Sequence, residues 1–261
     1  MAGYYVNQAY QKRERGGTPV SRVCVVVPTY NEANNLSTLI AKTESVLGNL
    51  DFSLIIVDDD SVDDTVNIAE RLNNVYGNVI VKSRKRKLGL GSAIVEGLRT
   101  SLEMKNVESI VTLDADLSHN PEDIPRLLRA ACEADMVQGS RYVINGRISN
   151  WGFKRRLTSR VANLICNLLL RTAVHDSTGN FRVYSRRCAE AIVNRTKGRG
   201  FEWVVEAVSV AKNTGFRVQE VPITFTNRKN GKTKLRSREI AGWARFALKK
   251  LFSPVQAARP S

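Results

Sequence analysis

Histidine is nearly missing from this chain, with two in 261 residues, and the four cysteines stand far apart. Cys24, Cys132, Cys166 and Cys188 form no Cys-x-x-Cys pair and no Cys/His spacing, which argues against zinc and against a disulfide framework. Four buried free thiols in a reducing cytosol are expected instead. No apolar run approaches the ~20 residues a membrane-crossing helix needs. The longest candidate, VANLICNLLL (161–170), is too short and contains two asparagines. The first residues are Tyr-rich and then charged, unlike a signal peptide. A chain that does not span a membrane is the expectation. Internal repeats and low-complexity segments are lacking, and so is a P-loop. KLGLGSA (87–93) has Gly-x-Gly before a helix but no third glycine at the dinucleotide-binding spacing. It reads equally well as a ligand-contacting loop or as a plain helix start.

Hydrophobic residues make up 43% of the chain, enough for a packed core. The net charge of +15 is unevenly placed. Residues 1–140 hold 15 Lys+Arg against 19 Asp+Glu, a balance of −4, whereas residues 141–261 hold 25 against 6, a balance of +19. A basic half of this kind suits phosphates, whether of nucleotide, membrane or nucleic acid. No helix-turn-helix, zinc or aromatic RNA-binding signature accompanies the charge, so nucleic acid is not the expected partner.

After a polar tail over residues 1–21, apolar strands alternate with helices. Strands are expected at 23–27, 51–57, 78–83, 109–114 and 135–140, and helices at about 31–47, 63–73, 91–104 and from Asn120, where Pro121 marks the first turn. Such alternation predicts an α/β fold with a mostly parallel sheet covered on both faces. Beyond Arg141 the rhythm breaks. A loop through Trp151 leads to a basic helix at about 153–171, short elements around FRVYS, a helix near 201–213, one or two strands in FRVQEVPITFTNR, a Gly/Lys-rich loop at 228–234 and a last helix at about 237–252.

Ligands in open α/β sheets bind beyond the carboxyl ends of the strands. Here four strands end in PTYNE (28–32), VDDDS (57–61), DAD (114–116) and GSRY (139–142). In extended chain, residues two apart face the same way, so Asp114 and Asp116 can turn toward one point. All-oxygen ligation of that kind suits Mg²⁺ or Mn²⁺. His119 reads as a turn residue.

With those motifs in order, the chain resembles the dolichol-phosphate mannose synthase catalytic subunits, a branch of glycosyltransferase family 2 with the GT-A fold. PTYNE, VDDDS, RKRKLGLGSA, DADLSHNPEDIP, GSRY, WGFKRRLTSR, HDSTGNFR and EVPITFTNRKNGKTK carry the resemblance, which runs from about residue 22 to 252. It implies a GT-A domain over 22–236, divided into a nucleotide-sugar and metal part (22–145) and an acceptor part (146–236). A flexible tail (1–21) would precede it and an amphipathic C-terminal helix and tail (237–261) would follow. It further implies inverting transfer of mannose from GDP-mannose to dolichyl or polyprenyl monophosphate. Pro28, Tyr30, Glu32, Val57 and Asp59 match a guanosine wall. Asp114, Ala115 and Asp116, with Ser118, match the segment for metal (Mg²⁺ or Mn²⁺) and donor phosphate. Arg141 matches an arginine near the phosphates, Arg155 and Ser159 match residues that hold the lipid phosphate, and Arg228 and Lys234 match basic residues on a closing loop. The sequence departs from the family at Ser61-Val62-Asp63-Asp64, where Ser-Pro-Asp-Gly is usual. An enzyme peripheral on the cytoplasmic face of a membrane is implied, meeting an anionic surface through 237–252, with room for a membrane-embedded partner subunit. A related transferase using another nucleotide sugar, such as UDP-glucose with dolichyl phosphate, is the nearest alternative. A basic nucleic-acid-binding protein is the more distant one.

Overall fold

The computed structural model describes residues 22–170 and 172–227. The tail at 1–21, the loop carrying Arg228 and Lys234, and the helix expected at 237–252 lie outside the described residues.

Strands β1 (Arg22–Thr29), β2 (Phe52–Asp58), β3 (Val79–Ser83) and β4 (Val107–Thr112) alternate with helices α1 (Ala33–Leu47), α2 (Thr65–Tyr76) and α3 (Leu90–Glu103). β1 and β2 are apolar almost throughout because both faces of the sheet are covered. Alternate residues go to opposite sides. Val23, Val25 and Val27 pack with Leu36, Leu39 and Ile40 of α1 on one face, while Cys24 and Val26 join Ile94 and Leu98 of α3 on the other. Gly97 lets α3 approach β1 closely, since a Cβ there would lie 2.2 Å from Val26 Cγ1.

A 3-10 turn (Pro121–Asp123), capped by the Asn120 side chain, leads into α4 (Ile124–Ala130). There follow β5 (Met136–Ser140), β6 (Arg147–Ser149), α5 (Phe153–Leu170), β7 (Arg182–Ser185), α6 (Arg186–Arg195), α7 (Glu202–Asn213), β8 (Val218–Pro222) and β9 (Thr224–Thr226). The main sheet runs β3-β2-β1-β4-β7-β5-β8, and only β7 is antiparallel to its neighbours. The mostly parallel α/β architecture is therefore as the sequence implied.

Three features are absent from the sequence reading. β5 does not sit beside β4, because β7 inserts between them. It is locked there by the fully buried Arg182, which donates to Gln138 Oε1 (2.5 Å), Val204 O (2.7 Å) and Ser177 O (3.0 Å). The stretch before Trp151 contains a strand, β6, that pairs in parallel with β9 as a second small sheet. And α6 was not anticipated, although Ser185 caps it by accepting from Cys188 N–H. Cys24, Cys166 and Cys188 are buried free thiols as expected, but Cys132 is exposed just beyond the end of α4. Among the described residues no helix is long and apolar enough to cross a membrane.

Candidate active site

The ends of β1 and β2 are knitted into one wall. Fully buried Asp58 accepts from Thr29 Oγ1 (2.9 Å), Ser61 N–H (2.8 Å) and Ser61 Oγ (2.5 Å). Asn31, in the left-handed region at φ 53°, places its side chain to accept from Val62 N–H at 2.9 Å. Between Val62 and Asp64, which replace the family's proline and glycine, Asp63 accepts from Ala33 N–H and from the hydroxyl of Thr65, so the turn is held without proline. Asp59 reaches the other way. Its two oxygens accept from Leu88 N–H (2.7 Å) and Gly89 N–H (2.9 Å), and Arg84 Nη2 pairs with it at 2.6 Å. Asp59 thus fastens the 84–90 loop, and that loop places Lys87 3.5 Å above the Tyr30 ring.

The start of α3 is closed to anions. Gly91 N–H and Ser92 N–H donate to the carbonyls of Gly200 (3.2 Å) and Arg199 (2.9 Å), so these helix-start donors are engaged. A Cβ at Gly91 would come within 2.8 Å of Gly200 O, which makes glycine necessary for this packing. Both readings of KLGLGSA find support: Gly89 stands at the start of α3, and Lys87, Gly89, Leu90 and Ala93 line the cleft at the strand ends.

At the end of β4 the chain turns rather than staying extended. Leu117 adopts φ 60°, and the Ser118 N–H and hydroxyl both fold back onto Asp116 Oδ1. The stretch between the two acids is therefore a turn and not the extended strand expected, and both acids line one cleft. Asp114 accepts from Asn180 Nδ2 at 3.0 Å. Its N–H donates to His119 Nδ1 (3.3 Å), and His119 is buried between Phe181 and Phe225. Burial pushes the His119 imidazole below its ordinary value, against the pull of Asp114 and Asp116. It is a neutral acceptor at Nδ1, and its 3.8 Å approach to the Asp114 carboxylate is not an ion pair.

Arg141, just past β5, is 8% exposed and gripped by Asp176: Nε to Oδ2 and Nη2 to Oδ1, both at 2.7 Å, with Thr178 Oγ1 at 2.8 Å. Burial alone would raise the Asp176 carboxyl, but Arg141 outweighs it and holds Asp176 below the usual carboxylate range. The rings of Tyr142, Trp151 and Phe225 surround the guanidinium at 5.3–5.6 Å. None of these contacts uses Nη1. Trp151 also carries Arg155 on its ring at 4.0 Å, and Arg155 Nη1 donates to Asn227. One turn further along α5, Ser159 accepts from the Tyr142 hydroxyl at 2.6 Å. Arg141 and Arg155 accordingly share one indole.

Of the sequence-predicted residues, Pro28, Tyr30, Glu32, Asp59, Asp114, Ala115 and Asp116 line a single cleft at the strand ends. Val57 does not; its side chain lies in the core beneath, in register with Pro28. Ser118 is 2% exposed and turned onto Asp116. Arg141, Arg155 and Ser159 gather around Trp151 and Tyr142, and Arg228 and Lys234 lie outside the described residues. Sequence reasoning passed over Lys87, Arg84, Asp176 and Asn180, and took His119 for a turn residue. Their motifs, RKRKLGLGSA, DADLSHNPEDIP and HDSTGNFR, were visible, but the partner of each lies five to sixty-six positions away.

The chain matches the model of the family "Glycosyl transferase family 2" over residues 24–193. It is 36% identical over 225 residues to polyprenol monophosphomannose synthase of Mycolicibacterium smegmatis, covering 85% of this chain and 84% of that one. It is 33% identical over 227 residues to dolichol-phosphate mannosyltransferase of Pyrococcus furiosus, covering 86% of this chain and 62% of that one. Among solved structures it is similar in fold to glucosyl-3-phosphoglycerate synthase of Mycobacterium tuberculosis, in complex with Mn²⁺, UDP and glucosyl-3-phosphoglycerate. The TM-score is 0.67 at 18% identity, covering 97% of this chain and 84% of that one.

Proposed function

The chain belongs to glycosyl transferase family 2, and from that premise we propose that it transfers mannose from GDP-mannose to a dolichyl or polyprenyl monophosphate. The observation that carries the reading is the join at Trp151. Asp114 and Asp116 line the cleft, Arg141 lies within range of the Asp114 charge, and across the Trp151 indole from Arg141 stand Arg155 and, beside Tyr142, Ser159. The two relatives above, named for this chemistry, supply the choice of sugar and acceptor.

Asp114 and Asp116 fit a divalent ion. The Asp114 carboxyl is 34% exposed, and Asp116 lines the same cleft. Among the described residues no group of three or more acids, histidines or cysteines surrounds them, which leaves positions for water and phosphate oxygens as Mg²⁺ and Mn²⁺ prefer. Ser118 supports Asp116 by hydrogen bond. When bound, the ion would neutralise charge on the donor diphosphate. Arg141 adds a fixed positive charge whose unengaged Nη1 can meet an anion. Arg155 and Ser159 hold the acceptor phosphate, which is already anionic at neutral pH and needs no general base. One phosphate oxygen attacks C1 of mannose, the bond from C1 to the GDP oxygen breaks with its electron pair leaving on GDP, and the anomeric carbon inverts. Arg228 and Lys234 would close over the donor.

The acceptor resides in a bilayer, and α5 supports a route to it. Phe153, Leu157, Val161, Leu164 and Leu168 are 45–79% exposed at spacings of three and four, so they form one outward stripe. Exposed Lys154 and Arg160 flank that stripe, while Arg155, Ser159 and Asn163 face the protein. An apolar stripe with basic margins suits a helix lying at an anionic surface. Peripheral attachment through α5 adds to the part assigned from sequence to 237–252.

The test is a panel of radiolabelled nucleotide sugars, with GDP-mannose and UDP-glucose as the key arms. Assays use polyprenyl-phosphate vesicles, and product is extracted into organic solvent. Label entering the lipid from GDP-mannose supports the reading; label from UDP-glucose alone replaces the donor. Leu157→Gln with Leu164→Gln should reduce sedimentation with anionic vesicles while GDP-mannose affinity stays within about twofold. Undiminished sedimentation of the double variant would remove α5 from the membrane contact.

A further inference from the structure

The backbone N–H groups of residues 175–178 are taken, one after another, by side chains from two distant elements. Glu220 of β8 accepts from His175 N–H with Oε2 (2.8 Å) and from Asp176 N–H with Oε1 (3.0 Å). Asn163 of α5 accepts from Ser177 N–H (2.8 Å) and Thr178 N–H (3.2 Å) with its Oδ1. The segment held in this way carries Asp176 and Thr178, the two side chains that receive the Arg141 guanidinium. Glu220 stands opposite Gln138 in the β5–β8 register, and Arg141 directly follows β5. A closed circuit results: β5 to Arg141, Arg141 to Asp176, Asp176 to Glu220, and across the ladder back to β5.

We infer that Glu220 is a positioning residue for the transfer, acting on Arg141 through the 175–178 segment. The inference rests on the place given above to Arg141 beside the donor diphosphate. Asp176 is fully buried, so the guanidinium goes where that carboxylate is put. Residues 175–178 belong to no helix or strand, so no regular ladder fixes Asp176. Glu220 supplies that fixing. Hydrogen bonds from backbone N–H to a carboxylate are roughly twice as strong as neutral ones, so the Glu220 end of the segment is the firmer one. Glu220 does not line the cleft, and its contribution to the reaction passes through Arg141. Displacing a group at a reacting centre by about 1 Å can cost roughly a hundredfold in rate.

A double-variant cycle separates this role from a brace for the fold. Transfer of radiolabelled mannose to polyprenyl phosphate is measured for Glu220→Ala, Arg141→Lys and the double variant, each well below its melting temperature. Arg141→Lys keeps a positive charge beside Asp176 while losing the guanidinium fork, and is expected to lower kcat about a hundredfold. Glu220→Ala should lower kcat about 10–100-fold, and Glu220→Gln, which keeps one acceptor oxygen, should recover part of the loss. On the Arg141→Lys background, removing Glu220 should change kcat by no more than about twofold, because its effect has no guanidinium left to act through. If Glu220→Ala does not melt cooperatively, Glu220→Gln carries the same cycle. Full kcat in the Glu220 variant, or a loss that multiplies with that of Arg141→Lys, overturns the inference and leaves Glu220 a structural brace. Wild-type kcat in Arg141→Lys instead removes Arg141 from the transfer, and the inference with it.

Discussion

At the end of β2, Asp58 takes three hydrogen bonds from Thr29 and Ser61, and Asp59 takes two backbone N–H groups and the Arg84 guanidinium. At the end of β4, Asp116 accepts from the Ser118 N–H and hydroxyl, and Asp114, which accepts from Asn180, keeps about a third of its side chain open. The residue type and the position on the sheet are the same. The loop that follows makes the difference. After β2 the chain and its neighbours fold back and supply donors to both carboxylates, so the charges are engaged in holding the wall. After β4 a tight turn with Leu117 in the left-handed region folds Ser118 onto Asp116 Oδ1, and Asp114 and Asp116 both line the cleft. The first acidic strand end is chiefly scaffold, and the second is held ready for a ligand.

Asp116→Asn should break the comparison most sharply. If Asp116 holds a divalent ion, turnover is expected to fall roughly a thousandfold or more. The melting temperature should move by no more than about 2 °C, because the amide oxygen still accepts from Ser118. EDTA should silence wild type to a similar degree. Full activity in EDTA would return Asp116 to the scaffold class.

The same kind of change at β2 should act on folding. Asp59→Ala removes the nearer carboxylate from Arg84, whose side chain is 5% exposed, and leaves it Ser92 Oγ, the Gly89 carbonyl and Glu96 at 3.8 Å. Losing one hydrogen bond to a charged group, with the others kept, typically costs about 1.5–3 kcal/mol. Chemical denaturation should show a loss of that order, and proteolysis within 84–90 should speed up. A variant as stable as wild type but unable to bind GDP would place Asp59 with the ligand-holding acids instead.

That contrast also marks what the sequence could and could not reveal. Unbroken apolar strands such as VCVVV and DFSLIIV announced a sheet buried on both faces, and motif order placed seven residues on one cleft. What stayed hidden depends on chain return. Nothing in FRVYS says that β7 inserts antiparallel between β4 and β5, because its place is fixed by Arg182 reaching Gln138, Ser177 and Val204. Likewise Asp59 and Asp114 look alike until Arg84, twenty-five positions on, and Asn180, sixty-six positions on, are brought beside them. Local pattern specifies the elements; the use of each acid is a non-local fact.

The smallest effect sharpens the comparison furthest, because it uses one motif at both places. Ser61 folds its hydroxyl onto Asp58, and Ser118 folds its hydroxyl onto Asp116. Asp58 is 0% exposed, so water cannot replace the bond that Ser61→Ala removes from Oδ1, which keeps Thr29 Oγ1, and Asn31 N–H also loses its acceptor. That should cost about 1–3 kcal/mol of stability, with kcat within about twofold of wild type. Asp116 is 8% exposed and lines the cleft, so water or the bound ion can meet the oxygen that Ser118→Ala frees. Stability should change less there. The orientation of the ligand carboxylate is lost instead, and the Mg²⁺ concentration for half-maximal activity should rise about tenfold, as for other partners that orient metal ligands. Measured side by side, the two serine variants should separate into a stability defect and a metal-affinity defect. If both shift stability alone, Asp116 is no more available than Asp58, and the distinction between the two strand ends disappears.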